Sequence, residues 1–240
     1  MISLRCPANV LAALADLLVA GCLAGDVDAV NGFEGSEALS RGVSGSALKS
    51  ADSVMVAEAL AQLEGIPTKA RASTTGFSRD RFGAAWADTD HNGCDTRNDI
   101  LARDLVDETF KPGSKNCVVA TGILADKYTG VTINFVRGQS TSFAVQIDHI
   151  VPLGDAWQKG AQQLTAEQRT ELANDPLNLL ATDGPTNIAK GDQDAAAWLP
   201  PNEAFRCEYI AGQIAVKAKY NLWVTPAEHD EIIEILTRCI

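Results

Sequence analysis

The stretch Phe143-Ala144-Val145-Gln146-Ile147-Asp148-His149-Ile150-Val151-Pro152 carries the first decision. Residues 143–149 alternate apolar and polar side chains as a half-buried strand does, and Pro152 forbids further ladder pairing because it has no N–H. Downstream, Thr165 with Gln168 three residues later has the form of a helix N-cap with its capping box. Leu177-Asn178-Leu179-Leu180-Ala181-Thr182 then reads as a second short strand. Asp183-Gly184 turns the chain, and Pro185 opens a short helix that carries Asn187 and Lys190 one turn apart on one face. The order is strand, loop, strand, helix. Adjacent strand residues point to opposite faces, so Asp148 and His149 serve one site only if the chain kinks or crosses over there.

Three segments together are specific: Asp148-His149-Ile150-Val151-Pro152, Asp175-Pro176-Leu177-Asn178-Leu179-Leu180 and Asn187-Ile188-Ala189-Lys190. They resemble the HNH, or ββα-metal, nuclease motif. The branch with Asp-His-Ile-Val-Pro includes secreted bacterial nucleases and the C-terminal nuclease domain of GmrSD-type restriction enzymes. The motif core spans 143–192, and the resemblance extends over about 54–240 through Phe77-Ser78-Arg79-Asp80, the segment from Trp86 to Leu105, and Trp198-Leu199-Pro200-Pro201-Asn202. It implies an α+β fold: a ββα-metal core with flanking helices and a β-hairpin.

The resemblance also implies roles. His149 is the general base that takes a proton from the attacking water, and a neutral imidazole near pH 7 suits that task. Asp148 and Asn187 hold one divalent ion, Mg²⁺ first and Mn²⁺ second, because hard oxygen donors suit such ions. Asn178 holds the loop and orients His149, and Lys190 neutralises a phosphate. Asparagine at the third motif position weakens a zinc or nickel reading. The expected activity is hydrolysis of DNA phosphodiester bonds, with RNA as a second substrate and little sequence preference. Nothing in the chain resembles a sequence-reading module, and no obligate protein partner is evident.

Outside the motif, Ser46 to Leu63 has a helical pattern on Val54, Val56, Leu60 and Leu63, stopped by Gly65 and Pro67. Asn98 to Val106 reads as a helix with Ile100, Leu101 and Leu105 on one side. Val118–Leu124 and Val131–Val136, separated by Tyr128-Thr129-Gly130, read as paired strands. Asn202 caps a helix to about Lys219, and Thr225-Pro226-Ala227-Glu228 is a capping box that starts another to about Arg238. Arg97 and Arg103 are candidate phosphate contacts on a charge-rich helix face. Trp86, Trp157, Trp198 and Trp223 are read as packing residues.

The six cysteines are Cys6, Cys22, Cys94, Cys117, Cys207 and Cys239, none at C-x-x-C spacing, which argues against a zinc ribbon. The last four allow three pairings. Cys207 and Cys239 lie at matching heights, ~18–20 Å from the turn between the last two helices at ~1.5 Å rise per residue, which favours their bridge. A Cys94–Cys117 bridge ties a helix to the following strand. Disulfides imply an oxidising compartment.

Residues 1–24, apolar after Arg5, resemble a secretion signal, and Val19-Ala20-Gly21-Cys22 resembles a lipobox that makes Cys22 a lipidation site and gives a membrane anchor. Residues 25–50 read as a linker and 51–240 as the nuclease domain, which places the protein outside the cell or on its surface. The formal net charge of −11 is opposite to that of most nucleic-acid binders. It points to local phosphate contacts and a bound cation, with no broad positive face. A competing reading is a non-catalytic surface lipoprotein that uses the fold for binding. A serine esterase ranks last, since no G-x-S-x-G is present. The run from Asp88 to Gly93 lacks a glutamate at its twelfth position and is not read as an EF-hand.

Overall fold

A computed structural model of the chain describes residues 53–239. The expected signal, the linker and the lipidation site Cys22 lie outside the described residues. The fold is α+β, with a three-stranded and a two-stranded antiparallel sheet among helices.

Helix α1 covers 53–64. It buries Val56, Ala59 and Leu63, while Val54, expected on the apolar face, is exposed. Helix α2 (Thr96–Asp104) is capped by Asp95, whose side chain accepts from Asn98 N. The chain passes from α2 directly into β1 (Leu105–Phe110), where the sequence reading extended the helix to Val106. Leu105 and Val106 pair with Leu124 and Ile123 of β2 (Val119–Ala125), so tertiary pairing ends the helix where no glycine or proline does. The expected hairpin is present: β2 pairs with β3 (Thr132–Val136) from Thr121↔Val136 to Ala125↔Thr132.

Strand β4 (Val145–His149) pairs antiparallel with β5 (Leu179–Asp183), from Val145↔Asp183 to His149↔Leu179. Both strands are shorter than the sequence reading. Residues Ser142–Ala144 and Pro176–Asn178 are single 3₁₀ turns, so Asn178 sits just ahead of β5 and not on it. Helix α5 (Gly184–Lys190) follows at once, capped by Asp183 on Thr186 N with proline in its first turn. The insertion between the strands holds α3 (Leu153–Gln158) and α4 (Ala166–Asn174), the latter closed by the Thr165–Gln168 capping box.

Strand parity splits the β4–β5 pair between two cores. Val145, Ile147, Leu179 and Ala181 pack with α2 and the larger sheet. Leu180 packs instead with α1, α6 (Arg206–Lys219) and α7 (Pro226–Arg238). The Thr225–Glu228 box starts α7 as expected, an arrangement that typically stabilises a helix by about 1 kcal/mol. Asn202 does not cap α6. A 3₁₀ turn, Glu203–Phe205, precedes that helix, and Asn202 Nδ2 donates to the Lys127 carbonyl. Disulfides Cys94–Cys117 and Cys207–Cys239 are both formed.

Candidate active site

Strand β4, the chain just after it and helix α5 form the walls of a cleft of about 410 Å³, completed by the segment that carries Arg79 and Trp86. Gln146, Asp148, His149 and Asn187 all line it. Helix α5 lies along β4 in a matched register. Asn187 Nδ2 donates to Gln146 Oε1 at 2.9 Å, and Lys190 Nζ donates to Asp148 Oδ2 at 2.6 Å. Three residues on a helix advance ~4.5 Å and two on a strand ~6.6 Å, so positions i, i+3 of α5 can reach i, i+2 of β4. Gly184 permits the approach: a Cβ there would lie 2.0 Å from the Phe143 carbonyl oxygen.

Asp148 is almost fully buried. Tyr128 Oη donates to its Oδ2 at 2.5 Å, and Lys190 donates to the same atom. Both donors use Oδ2 and neither uses Oδ1. Tyr128 comes from the β2–β3 turn and is held among the rings of Trp198, Phe205 and Tyr209. Burial, with the Asp148 charge beside it, keeps the Tyr128 hydroxyl protonated far above the usual phenol range, so it remains a donor.

His149 leaves Asp148 in the opposite direction, as strand parity requires. Its Nε2 lies 2.9 Å from the Ala173 carbonyl oxygen, and its ring stacks on Trp86 at 6.2 Å and 13°. A carbonyl can only accept, so Nε2 carries the hydrogen and Nδ1 keeps its lone pair. Burial lowers the imidazole pKa to about 4 against the pull of the Ala173 carbonyl and Asp148, so the ring is neutral at pH 7. The strand ends at His149, and the cleft runs across that end. Parity therefore does not separate the two side chains from one cavity, and no crossover is needed.

Asn178 is fully buried behind the cleft. Its Oδ1 accepts from Val151 N at 2.8 Å, and Nδ2 donates to the carbonyls of Val151 and Leu172. Its own carbonyl accepts from Ile150 N. It thus holds the chain just after His149, and also the residue before Ala173, the acceptor for the imidazole.

The three expected phosphate contacts fare differently. Lys190 is buried completely, its ammonium divided between Asp148 and the His149 carbonyl at 2.7 Å, so it is corrected from a phosphate contact to an internal counter-charge. Burial lowers its pKa, opposed by Asp148. Arg103 is also corrected: it grips Asp104 and the carbonyls of Pro176 and Leu179, joining α2 to the start of β5. Arg97 is half-buried, and neither it nor Arg103 lines the cleft. The cation that does is Arg79, which the sequence marks only as one residue of the Phe77–Asp80 segment. Among the described residues Arg79 forms no ion pair. Trp86, expected as packing, stands against the imidazole. Tyr128, Gln146, Arg79 and Trp86 had no local signal that marked them as site residues.

Among the described residues no group of three or more His, Cys, Asp and Glu is placed to hold a metal. The oxygen donors lining the cleft are the carboxylates of Asp148 and Asp192 and the amides of Gln146 and Asn187. Because Asn187 Nδ2 is tied to Gln146, the Asn187 Oδ1 is left as an oxygen donor in the cleft that Asp148 also lines.

Residues 95–235 match the family model described as the C-terminal domain of GmrSD restriction endonucleases. The chain is also similar to an uncharacterized secreted protein of Arthroderma benhamiae (strain ATCC MYA-4681 / CBS 112371). The two are 35% identical over 179 residues, which is 74% of this chain and 82% of the relative. No solved structure matches the chain.

Proposed function

The chain belongs to the family of GmrSD restriction endonuclease C-terminal domains, and on that premise we propose that it is an exported, metal-dependent HNH-type endonuclease with His149 as general base. The observation that carries the reading is the His149 environment: Nε2 held by the Ala173 carbonyl, Nδ1 left with its lone pair free, and the ring kept neutral by burial at the edge of a polar cleft.

His149 Nδ1 takes a proton from water as the water oxygen attacks phosphorus, and the P–O bond to the leaving oxygen breaks. Trp86 and the Ala173 carbonyl fix the ring plane, and Asn178 fixes the chain on both sides of that contact. Arg79, at the cleft wall with no ion-pair partner among the described residues, is the phosphate contact. Asp148, through Oδ1, and Asn187, through its amide oxygen, would hold one Mg²⁺ or Mn²⁺. These are hard oxygen donors, as such ions prefer. When bound, that cation supplies electrostatic stabilisation of the charge that develops on the phosphoryl and leaving oxygens. Lys190 and Tyr128 keep the Asp148 carboxylate oriented from behind.

The substrate is DNA, with RNA as a second substrate, cut with little sequence preference. Export is supported by the disulfides and by the relative whose name describes it as secreted. The test is degradation of plasmid DNA with and without Mg²⁺ by the purified chain beside His149→Ala. Loss of a positioned general base is expected to lower the rate by about 10²–10⁴-fold. Undiminished cleavage by His149→Ala overturns the reading.

A further inference from the structure

Resting on that nuclease reading, we propose that Asp192 is a third residue that holds the divalent cation, its carboxylate supplying the uncompensated negative charge of the cleft. The full charges that line the cleft are those of Arg79, Asp148 and Asp192. The charge of Asp148 is already balanced, because the buried Lys190 ammonium sits on its Oδ2 at 2.6 Å. Without Asp192 the balance would be the single positive charge of Arg79, which repels a dication. Asp192 brings that balance to zero. Its carboxylate forms no hydrogen bond or ion pair among the described residues, so the charge is not spent elsewhere. The affinity of an oxygen site for a divalent ion follows its count of charged ligands, and a site of Asp148 and Asn187 alone has no net charge to offer.

The fold delivers Asp192 to the cleft by ending α5 early. Asn187 and Asp192 are five residues apart, which on a continuing helix would set them about 140° apart around the axis, at ~3.6 residues per turn. The helix stops instead at Gly191, whose N–H donates to the Asn187 carbonyl. Its φ of 54° lies in the left-handed region that glycine adopts freely. The chain turns there, and Asn187 and Asp192 line one cavity. The Asp192 carboxylate rests on Gly154, in the first turn of α3. A Cβ on Gly154 would lie 2.5 Å from Asp192 Oδ2 and 2.9 Å from Oδ1. The missing side chain therefore leaves the space that the carboxylate occupies, next to Pro152 and Leu153 of the cleft wall.

The test is Mn²⁺ binding to the purified chain, followed by calorimetry, which does not depend on cleavage. Asp192→Asn keeps a side-chain oxygen and removes the charge. It is expected to weaken Mn²⁺ binding by about 10–100-fold, the usual loss when a supporting group of a metal site is removed, with the melting temperature unchanged. Gly154→Ala pushes the carboxylate off its seat. It is expected to weaken Mn²⁺ binding in the wild-type background and to add nothing to the loss in Asp192→Ala, since only residues that act together are coupled in this way. Wild-type affinity in Asp192→Asn overturns the assignment; if Asp148→Asn loses Mn²⁺ in the same assay, the metal site of the nuclease reading stands without Asp192. If Mn²⁺ binding depends on Asp192 while His149→Ala cuts plasmid DNA as fast as wild type, the assignment stands and the nuclease reading falls. No Mn²⁺ binding by the wild type rejects the role of Asp192.

Discussion

Asn187 Nδ2 donates to Gln146 Oε1 at 2.9 Å, and this contact decides which end of the Asn187 amide is free. With the amino group tied to β4, the oxygen is the end available to a cation. Replacing Gln146 by Leu removes the acceptor and lets the amide turn. Loss of such an outer contact typically weakens metal affinity by about 10–100-fold. Mn²⁺ binding to Gln146→Leu, followed by calorimetry, is expected to weaken within that range while the melting temperature changes little. Affinity equal to wild type removes Asn187 from the ligand set.

Gly184 sets the distance between α5 and β4. A Cβ at this position meets the Phe143 carbonyl oxygen at 2.0 Å, and that oxygen belongs to backbone that cannot rotate away. Gly184→Ala must therefore push the helix start off the strand. Overpacking of this kind costs about 1–3 kcal/mol. The same shift separates Asn187 from Gln146. Urea denaturation is expected to show the loss in stability, and cleavage by the remaining folded protein is expected to need more Mg²⁺. A variant with unchanged stability and metal requirement contradicts this account of the register.

The strand–strand–helix order and both capping boxes are legible because each depends on short-range chemistry, and the Cys207–Cys239 pair because both residues lie at matching heights on two adjacent helices. Asp183-Gly184-Pro185 can only turn and start a helix, and Thr165 and Thr225 each have a partner three residues on. The residues that were misread depend on distant ones. Lys190 looks like a surface lysine until Asp148, 42 residues away, is placed opposite it. Tyr128 reads as a turn residue, and only packing of the hairpin against α6 brings its hydroxyl to Asp148. β1 has no turn signal ahead of it, so Leu105 and Val106 look like a continued helix until β2 pairs with them. Arg79 opens a 3₁₀ turn, Arg79–Phe82, and Trp86 lies in the loop after it; the path of both follows tertiary contacts, not periodicity.

A second buried charge cluster gives a pH prediction. Asp155, Asp194 and Glu228 enclose Lys159, and Asp155 and Glu228 also hold Lys217. Burial pushes the Asp155 carboxyl up, but Lys217, Lys159 and Arg71 outweigh it and hold the carboxyl below its ordinary 3.8. Burial likewise pulls Lys217 down, and Asp155 and Glu228 hold it above 10.5. A lowered carboxyl contributes stability above its unfolded pKa that is lost as pH falls through the folded value. A raised ammonium contributes stability below its unfolded pKa that is lost as pH rises through the folded value. The stability gap between wild type and Asp155→Asn is therefore expected to be level from pH 5 to 9 and to shrink below about 3.8. Breaking one partner of a buried pair typically costs about 3–5 kcal/mol, which sets the size of the plateau. A gap that widens on acidification reverses the sign and rejects the assignment.

Arg79 and Lys190 separate phosphate binding from internal charge balance. Arg79 is exposed at the cleft wall and has no ion-pair partner among the described residues, so a phosphate bound there displaces counterions. Lys190 is sealed against Asp148 and displaces none. For single-stranded DNA each phosphate contact contributes about 0.7 to the slope of log affinity against log salt. Affinity for a single-stranded oligonucleotide, measured in the uncleaving His149→Ala background across a salt series, is expected to lose about that much slope on Arg79→Gln. Lys190→Met leaves Asp148 uncompensated and is expected to cost about 3–5 kcal/mol of stability instead. In whatever folded fraction remains, its salt slope should equal that of the background. If Lys190→Met lowers the slope and Arg79→Gln does not, the assignment of the two cations is reversed.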